Sequence, residues 1–301
     1  MTDQAKGLIL TCIGVLAVIP DSLIVRLIDT DGLTFLFVRS GLAGLVIGLF
    51  TAMVYRKKTI QTYQNLGWAG LQYAVLLCIS TFCFIYGLRL TSVANALFIV
   101  STSPIFAAIA SWIFLKERFS KRMIWTTAFA LIGISIITSG SHTGEKSSLL
   151  GDALALSAAA TLAFAFTTAR SAKNISMVPA TGIGYGLTAV ICLPFIQLAS
   201  LSGHELILLI LLGAMFVPLG TALMSLGPRY ITASEVSLLL LLEAVLAPLL
   251  VWYVVEENPG KYALIGGAIV LTTLFASNVI GLKRTHKNHM HRTEIDTDST
   301  A

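Results

Sequence analysis

Long apolar blocks, separated by short polar gaps, run through almost the whole sequence. A helix needs about 20 apolar residues to cross about 30 Å of hydrocarbon, and ten blocks are long enough to do so. The blocks do not alternate polar and apolar residues, so they predict helices rather than barrel strands. The ten predicted spans lie at 7–27, 33–55, 66–88, 91–115, 121–140, 149–169, 177–199, 206–226, 233–255 and 260–282.

Charged residues are too scarce for a soluble protein of this size. They make up 12% of the chain, against about 25% in soluble domains. The sequence therefore predicts an all-α membrane protein that has the lipid bilayer as its surroundings. No basic surface with interleaved aromatic residues remains that would indicate nucleic-acid binding.

The distribution of basic residues predicts the orientation. Fifteen of the 20 Lys and Arg residues fall at the face that holds both chain ends, four at the other face, and Arg39 lies within the second span. Because basic residues are retained in the cytoplasm, we expect a multi-pass protein of the cell inner (plasma) membrane with both termini cytoplasmic. Residues 1–6 are the expected cytoplasmic N-terminus, and residues 283–301 are expected to be a disordered cytoplasmic tail.

The sequence is internally duplicated, and matched positions are called repeat mates below. A shift of 140 residues pairs Thr81 with Thr221, Gly87 with Gly227, Arg89 with Arg229, Trp112 with Trp252 and Glu117 with Glu257, and a shift of 144 pairs Gly7 with Gly151 and Arg26 with Arg170. The expected units are residues 7–140 and 149–282, with five spans each. An odd number of crossings inverts the second unit relative to the first, as in many secondary transporters.

Several short motifs accompany this duplication. The first repeat has Ser92, Ala94 and Ala96, then Ser103-Pro104-Ile105-Phe106, then Glu117; the second has Glu243-Ala244, Pro248 and Glu257. With ten spans in about 300 residues, these motifs resemble the EamA type of the drug/metabolite transporter superfamily. The pair Glu243-Ala244 departs from the Glu-Pro pair of that family. The resemblance implies transport, mostly export of amino acids, other metabolites or drugs.

Charges inside the spans are the first candidate site residues, because a charge at mid-helix costs roughly 2.5–3.5 kcal/mol. Glu243 lies in the middle of the ninth span. It can bind a solute ammonium group or a coupling proton, or it can be a structural carboxyl bonded to a neighbouring helix. Arg39 can pair with Glu243 or Asp21, bind a solute carboxylate, or extend to the membrane interface. Asp21 follows Pro20 near the outer end of the first span and is a candidate for a gate at the outer mouth.

Uncharged polar residues extend the candidate site. Ser101 and Ser103 precede Pro104, where a proline inside a span leaves carbonyls without an internal donor, and they can line the site. Tyr86 and Tyr185 can form an aromatic wall or face lipid.

Asn95 and its repeat mate Glu235 lie one turn into the fourth and ninth spans. They can mark the two mouths of a pathway, although helix capping is the simpler role.

The absence of several sequence motifs argues against enzymes and metal-binding proteins. The sequence has no zinc-protease motif, no phosphate-binding loop and no paired metal-ligand cysteines, so we expect no enzyme activity, no cofactor and no metal. The sequence favours a secondary transporter of a small-molecule solute, working by alternating access and with possible proton coupling. An accessory protein or a flippase for lipid-linked groups is the alternative. Monomer and homodimer both stay open.

Overall fold

Helices account for nearly all of the chain that the structure, a computed structural model, describes. It describes residues 3–28, 30–91, 93–117, 121–139, 148–196, 202–255, 261–262, 265–277 and 279–280, and no strand occurs within these ranges. The helices are α1 Asp3–Leu27, α2 Gly32–Tyr55, α3 Thr59–Asn65, α4 Gly67–Leu90, α5 Val93–Val100, α6 Ser103–Leu115, α7 Lys121–Ser139, α8 Leu149–Ser171, α9 Val178–Cys192, α10 Gly203–Leu211, α11 Val217–Leu226, α12 Ala233–Leu239, α13 Leu241–Val255 and α14 Ile265–Ser277. The tail expected at 283–301 lies outside the described residues.

Among the described residues, six helical stretches are long and apolar enough to cross a membrane without a break, including Asp3–Val25, Gly67–Leu90 and Leu149–Ser171. The outward surfaces of the helices, including the shorter α6 and α14, carry large apolar side chains that are more than half exposed. Examples are Leu45, Phe50, Trp68, Phe114 and Phe275. So much exposed apolar surface is compatible with lipid and not with water. The protein is an all-α, multi-pass membrane protein of ten spans in two inverted five-helix repeats.

The fourth span is broken where the sequence places its proline. α5 ends at Val100 and α6 begins at Ser103, directly before Pro104. Proline has no N–H and cannot continue the hydrogen-bond ladder. The hydroxyls of Ser101 and Thr102 donate to the Leu97 and Ile99 carbonyls, both at 2.6 Å. Both carbonyls also accept backbone N–H bonds from the same two residues, so the hydroxyls add a second hydrogen bond to each carbonyl at the break.

The eighth and ninth spans also depart from a regular helix. A π-helical turn at Leu212–Phe216 joins α10 to α11. The ninth span divides into α12 and α13 at Leu240, three residues before Glu243 and without a proline at the break. Pro248 lies inside α13.

Matched contacts relate the two repeats. Gly7 on α1 lies against Tyr230, so that an added Cβ would be 2.7 Å from the Tyr230 Cβ. Its mate Gly151 on α8 lies against Leu90, and a Cβ there would be 2.9 Å from the Leu90 carbonyl carbon. Leu90 and Tyr230 are themselves repeat mates. The contact of α1 with α11 between the repeats thus has its counterpart in the contact of α8 with α4.

A second matched pair of contacts fixes a loop in each repeat. Arg89 donates through Nη1 to the carbonyl of Thr30, between α1 and α2, at 2.5 Å. Its mate Arg229 donates through Nε to the carbonyl of Lys173, between α8 and α9, at 3.1 Å. These two loops lie at opposite ends of the helix bundle. The repeats are therefore inverted copies of one arrangement.

Candidate functional site

A cavity of about 100 Å³ lies where the two repeats meet, lined by side chains of α1, α2, α4, α8, α9, α11 and α13 and by the end of the fourth span's first half. Thr81 and its repeat mate Thr221 both line it. Each threonine hydroxyl donates to a carbonyl one turn earlier in its own helix, at 2.8 Å and 2.6 Å. The cavity therefore takes equivalent parts of its wall from both repeats.

A buried ion pair forms one wall of the cavity. Asp21 on α1 and Arg39 on α2 are 3% and 4% exposed. Arg39 donates through Nε to Asp21 Oδ1 at 3.0 Å and through Nη2 to Oδ2. This two-point geometry gives strong charge-assisted hydrogen bonds, so each charge compensates the other away from water.

One donor of Arg39 remains available at the cavity. Its Nη1 atom is buried and has no hydrogen-bond partner within the described part of the chain. The Arg39 Cζ lies 5.8 Å from the centroid of the Tyr185 ring, a distance at which an aromatic ring attracts a cation. Arg39 is thus held by Asp21 and Tyr185, and its Nη1 group keeps N–H donors that bond no described residue.

Glu243 is the second acidic group of the cavity. It lies on α13, just after the break at Leu240, and is half-buried. Its Oε1 accepts a hydrogen bond from the Ser22 hydroxyl of α1 at 3.1 Å. Within the described residues no donor bonds the other carboxylate oxygen, so Glu243 can accept a further hydrogen bond.

The structure brings together part of the predicted site. The cavity is lined by Glu243, Arg39, Asp21, Ser101 and Tyr185. Asp21 follows Pro20 inside α1 and bonds Arg39, which places it at the cavity wall and not in a solvent-exposed mouth. The gate role suggested for these two residues stays a prediction.

Other predicted residues lie elsewhere. Ser103 is buried and donates to the Ser237 hydroxyl at 3.4 Å, and Pro104 is buried at the start of α6. Tyr86 lies at the far end of α4, where its ring is close to Gly32 of α2. Glu235 forms a capping box with Thr232, and the side chain of Asn95 lies outside the described residues.

Two residues outside the predicted charged residues also take part in the cavity. Tyr73 lines it, and Ser22 supports Glu243. Tyr73 is 2% exposed, and Ser22 is 1% exposed and bonds Glu243. A lone serine in an apolar span carries no distinguishing pattern. Its position next to Asp21 was the only available signal.

No group of three His, Cys, Asp or Glu side chains suited to a metal ion occurs within the described ranges. The ionisable groups that line the cavity are Asp21, Arg39, Glu243 and the phenols of Tyr73 and Tyr185. Asp21 and Arg39 neutralise each other, and Glu243 can accept a cation or a proton.

A match to a protein-family model identifies the family of this chain. A model of the EamA-like transporter family matches residues 5–139 and, a second time, residues 149–279. The chain belongs to the EamA-like transporter family. It is therefore a member of a family of membrane transporters, and the doubled match agrees with the two inverted repeats.

One similar sequence and one similar structure extend the comparison for this EamA-like transporter. A stretch of 52 residues is 40% identical to solute carrier family 35 member G1 of Mus musculus, which is 17% of this chain and 14% of that protein. A solved crystal structure of a protein superposes with a TM-score of 0.78 at 15% identity, over 93% of this chain and 99% of that chain. The second likeness shows a shared fold.

Two ion pairs join the repeats at the end of the bundle where α1 begins, called the N-terminal face below. Arg170 of α8 bonds Glu117 through Nε at 3.1 Å and the Pro228 carbonyl through Nη1 at 3.2 Å. Arg122 of α7 bonds Glu235 and, through Nη1, the Ser277 carbonyl at 2.9 Å. In this EamA-like transporter, both pairs connect one repeat to the other.

Proposed function

We propose that this EamA-like transporter is a secondary carrier that exports small organic solutes, amino-acid-like or drug-like, by alternating access. The charged cavity between the repeats carries the proposal. Charges at membrane depth are costly and usually serve solute or ion movement. Here Asp21, Arg39 and Glu243 converge on one cavity.

The proposed binding follows from the unused hydrogen-bonding capacity. Arg39 Nη1 is a buried donor without a described partner, and it can donate to an anionic or carbonyl oxygen of the solute. Glu243 can accept a hydrogen bond from a solute ammonium group. The Tyr185 ring beside Arg39 supplies an apolar surface. The site binds by hydrogen bonds and charge, and we propose no covalent chemistry on the solute.

Alternating access is supported by the inverted repeats and by the N-terminal face. One half of an inverted pair can adopt the arrangement that the other half leaves. The Glu117–Arg170 and Arg122–Glu235 pairs cross between repeats at this face. We propose that they separate when the cavity opens to that side and form again when it closes.

We propose that the protein lies in the plasma membrane with both termini in the cytoplasm. The N-terminal face carries most of the basic residues, and basic residues are retained on the cytoplasmic side. We also propose that Glu243 carries a coupling proton. One elementary charge moved through 100 mV gains about 2.3 kcal/mol, which supports roughly fifty-fold accumulation of solute.

The test begins with the pathway itself. Purified protein is reconstituted in lipid vesicles, and uptake of a mixture of the twenty standard amino acids is followed by mass spectrometry. A metabolite comparison between strains that lack and overproduce the protein extends the probe set. A transporter moves solute without a partner protein, whereas an accessory protein leaves the vesicles inactive.

The variant Glu243→Gln then tests the site. It removes the charge and keeps the shape, and we expect uptake to fall by at least about tenfold, the equivalent of one charged hydrogen bond. Glu205→Gln is the matched control, because Glu205 caps α10 in a partly exposed position and does not line the cavity. Parent-like uptake in Glu243→Gln contradicts the site, and uptake independent of pH in the parent contradicts proton coupling.

A further inference from the structure

Two neighbouring residues of α1 bond to the two charged partners of the cavity. Asp21 bonds Arg39 of α2, and Ser22 donates to Glu243 Oε1 of α13 at 3.1 Å. Consecutive residues of a helix point about 100° apart, so one turn of α1 can reach both helices. The spacing between the cation and the free carboxylate is therefore set by α1.

Within the described residues, the Ser22 hydroxyl makes one hydrogen bond. Ser22 is 1% exposed, and its hydroxyl donates to Glu243 rather than to a carbonyl of its own helix. This distinguishes it from Thr81, Thr221 and Ser225, whose hydroxyls bond carbonyls within their helices. Helical serines and threonines commonly make such local bonds, whereas the Ser22 hydroxyl bonds a carboxylate 221 positions away in the sequence.

The remaining charged groups around Glu243 are few. In the described part of the cavity wall they are Asp21 on α1 and Arg39 on α2, with the phenols of Tyr73 on α4 and Tyr185 on α9. Asp21 and Arg39 bond each other through two contacts. The direct hydrogen bond that orients the Glu243 carboxylate is the one from Ser22.

We propose that Ser22 is a positioning residue for transport, which holds the Glu243 carboxylate in the orientation that meets solute at the cavity. The proposal rests on the proposed function, in which Glu243 binds the solute or a proton. Loss of the Ser22 hydroxyl frees the carboxylate to rotate, and the ordering then has to be regained each time solute binds. Ser22 acts through Glu243 and does not itself need to touch the solute.

The experiment compares three serine variants in lipid vesicles. Ser22→Ala removes the donor, and Ser22→Thr keeps a hydroxyl at the same position. Ser225→Ala is the matched control, since Ser225 is equally buried but bonds the Ala222 carbonyl of its own helix at 2.7 Å and lies outside the cavity lining.

Infrared difference spectroscopy supplies a readout that a merely structural serine would not move. Protons are the only probe added in this experiment. The Glu243 carboxyl band is assigned as the band that disappears in Glu243→Gln. Ser22→Ala should move that band to higher wavenumber, because a carbonyl that loses a hydrogen bond stiffens. Ser22→Thr should restore it, and Ser225→Ala should leave it in place.

Uptake of the twenty-amino-acid mixture is the second readout. We expect a loss of about tenfold in Ser22→Ala, the size of one hydrogen bond to a charged group, with recovery in Ser22→Thr. An unmoved band, or parent-like uptake in Ser22→Ala, overturns the proposal. If the parent itself takes up no solute, the proposed function fails and the transport role of Ser22 fails with it, while the band position still shows separately whether Ser22 holds Glu243.

Discussion

The two repeats use the same backbone contacts but present different side chains to the cavity. Gly7 and Gly151 make equivalent close contacts, and so do the loops held by Arg89 and Arg229. At the cavity Thr81 and Thr221 are still matched, but the charged positions are not. The shift of 144 residues pairs Asp21 and Ser22 with Ala165 and Phe166, and the shift of 140 pairs Glu243 with Ser103.

This difference separates two demands on the chain. Helix crossings in lipid depend on small residues that let backbones approach, and both repeats retain them because both halves need the same packing. A solute site needs one arrangement of charge, and a second copy of Asp21 or Arg39 would add buried charge without a partner. The scaffold is therefore duplicated, and the site is built once from unequal contributions.

The largest effect is expected from breaking the buried pair. Arg39→Met leaves the Asp21 carboxylate without its partner, and loss of one member of a buried pair costs about 3–5 kcal/mol. We expect the free energy of unfolding, measured by denaturant titration in detergent, to fall by that amount. The double variant Asp21→Asn/Arg39→Met should recover much of the loss, since no charge is then stranded. Equal stability of Arg39→Met and the parent would contradict the pair's role.

A smaller loss is expected from the shared scaffold. Gly151→Ala places a Cβ 2.8 Å from the Thr91 nitrogen and 2.9 Å from the Leu90 carbonyl carbon, and backbone atoms cannot rotate away. Overpacking of this kind costs about 1–3 kcal/mol, measurable as a lower unfolding temperature. Gly7→Ala should behave alike, because it tests the mate contact. Gly186→Ala is the control, with nothing within 4 Å of its added Cβ.

Tyr185 offers a weaker test, because this residue of the second repeat lies beside the Asp21–Arg39 pair of the first. Tyr185→Leu removes the ring near Arg39 and should cost about 1–2 kcal/mol of stability through the lost cation–π attraction and packing. Tyr185→Phe keeps the ring and should cost less. If both variants lose equally, the phenol hydroxyl and not the ring stabilises Arg39.

The smallest effect is expected at the N-terminal face. Glu117→Gln breaks the pair with Arg170, whose side chains are 30% and 19% exposed, and exposed pairs contribute about 0–1 kcal/mol. Stability should therefore barely change. Under alternating access, the distribution between the two open states should change instead, detectable as altered labelling of cysteines introduced at this face. A large loss of stability with unaltered labelling would argue for a purely structural pair.

The spans could be predicted from sequence because their signal is long and additive. The predicted starts at 33 and 149 lie within a residue of α2 and α8, which begin at Gly32 and Leu149. The break before Pro104 was also predictable, since the missing N–H is a local property. The break at Leu240 was not, because no residue there forbids a helix and the cause lies in packing.

The ion-pair partner of Arg39 in the cavity could not be predicted from the sequence, for a related reason. Arg39 could have paired with either Asp21 or Glu243, and the outcome depends on the rotation of α1 against α2 by a fraction of a turn. Periodicity does not fix such rotations. The role of Ser22 was hidden because a serine in a span is common, and only its distance to Glu243 distinguishes it.

The matched contacts of α1 with α11 and of α8 with α4 have a consequence for assembly. Each joins a helix of one repeat to a helix of the other, so neither five-helix unit contains the surface that covers its own first and third spans. Residues 3–139 inserted alone would leave α4 without α8, and only a second copy inserted upside down could replace it. The first half of the chain must then wait in the bilayer, with its contact faces uncovered, until the second half has been synthesised.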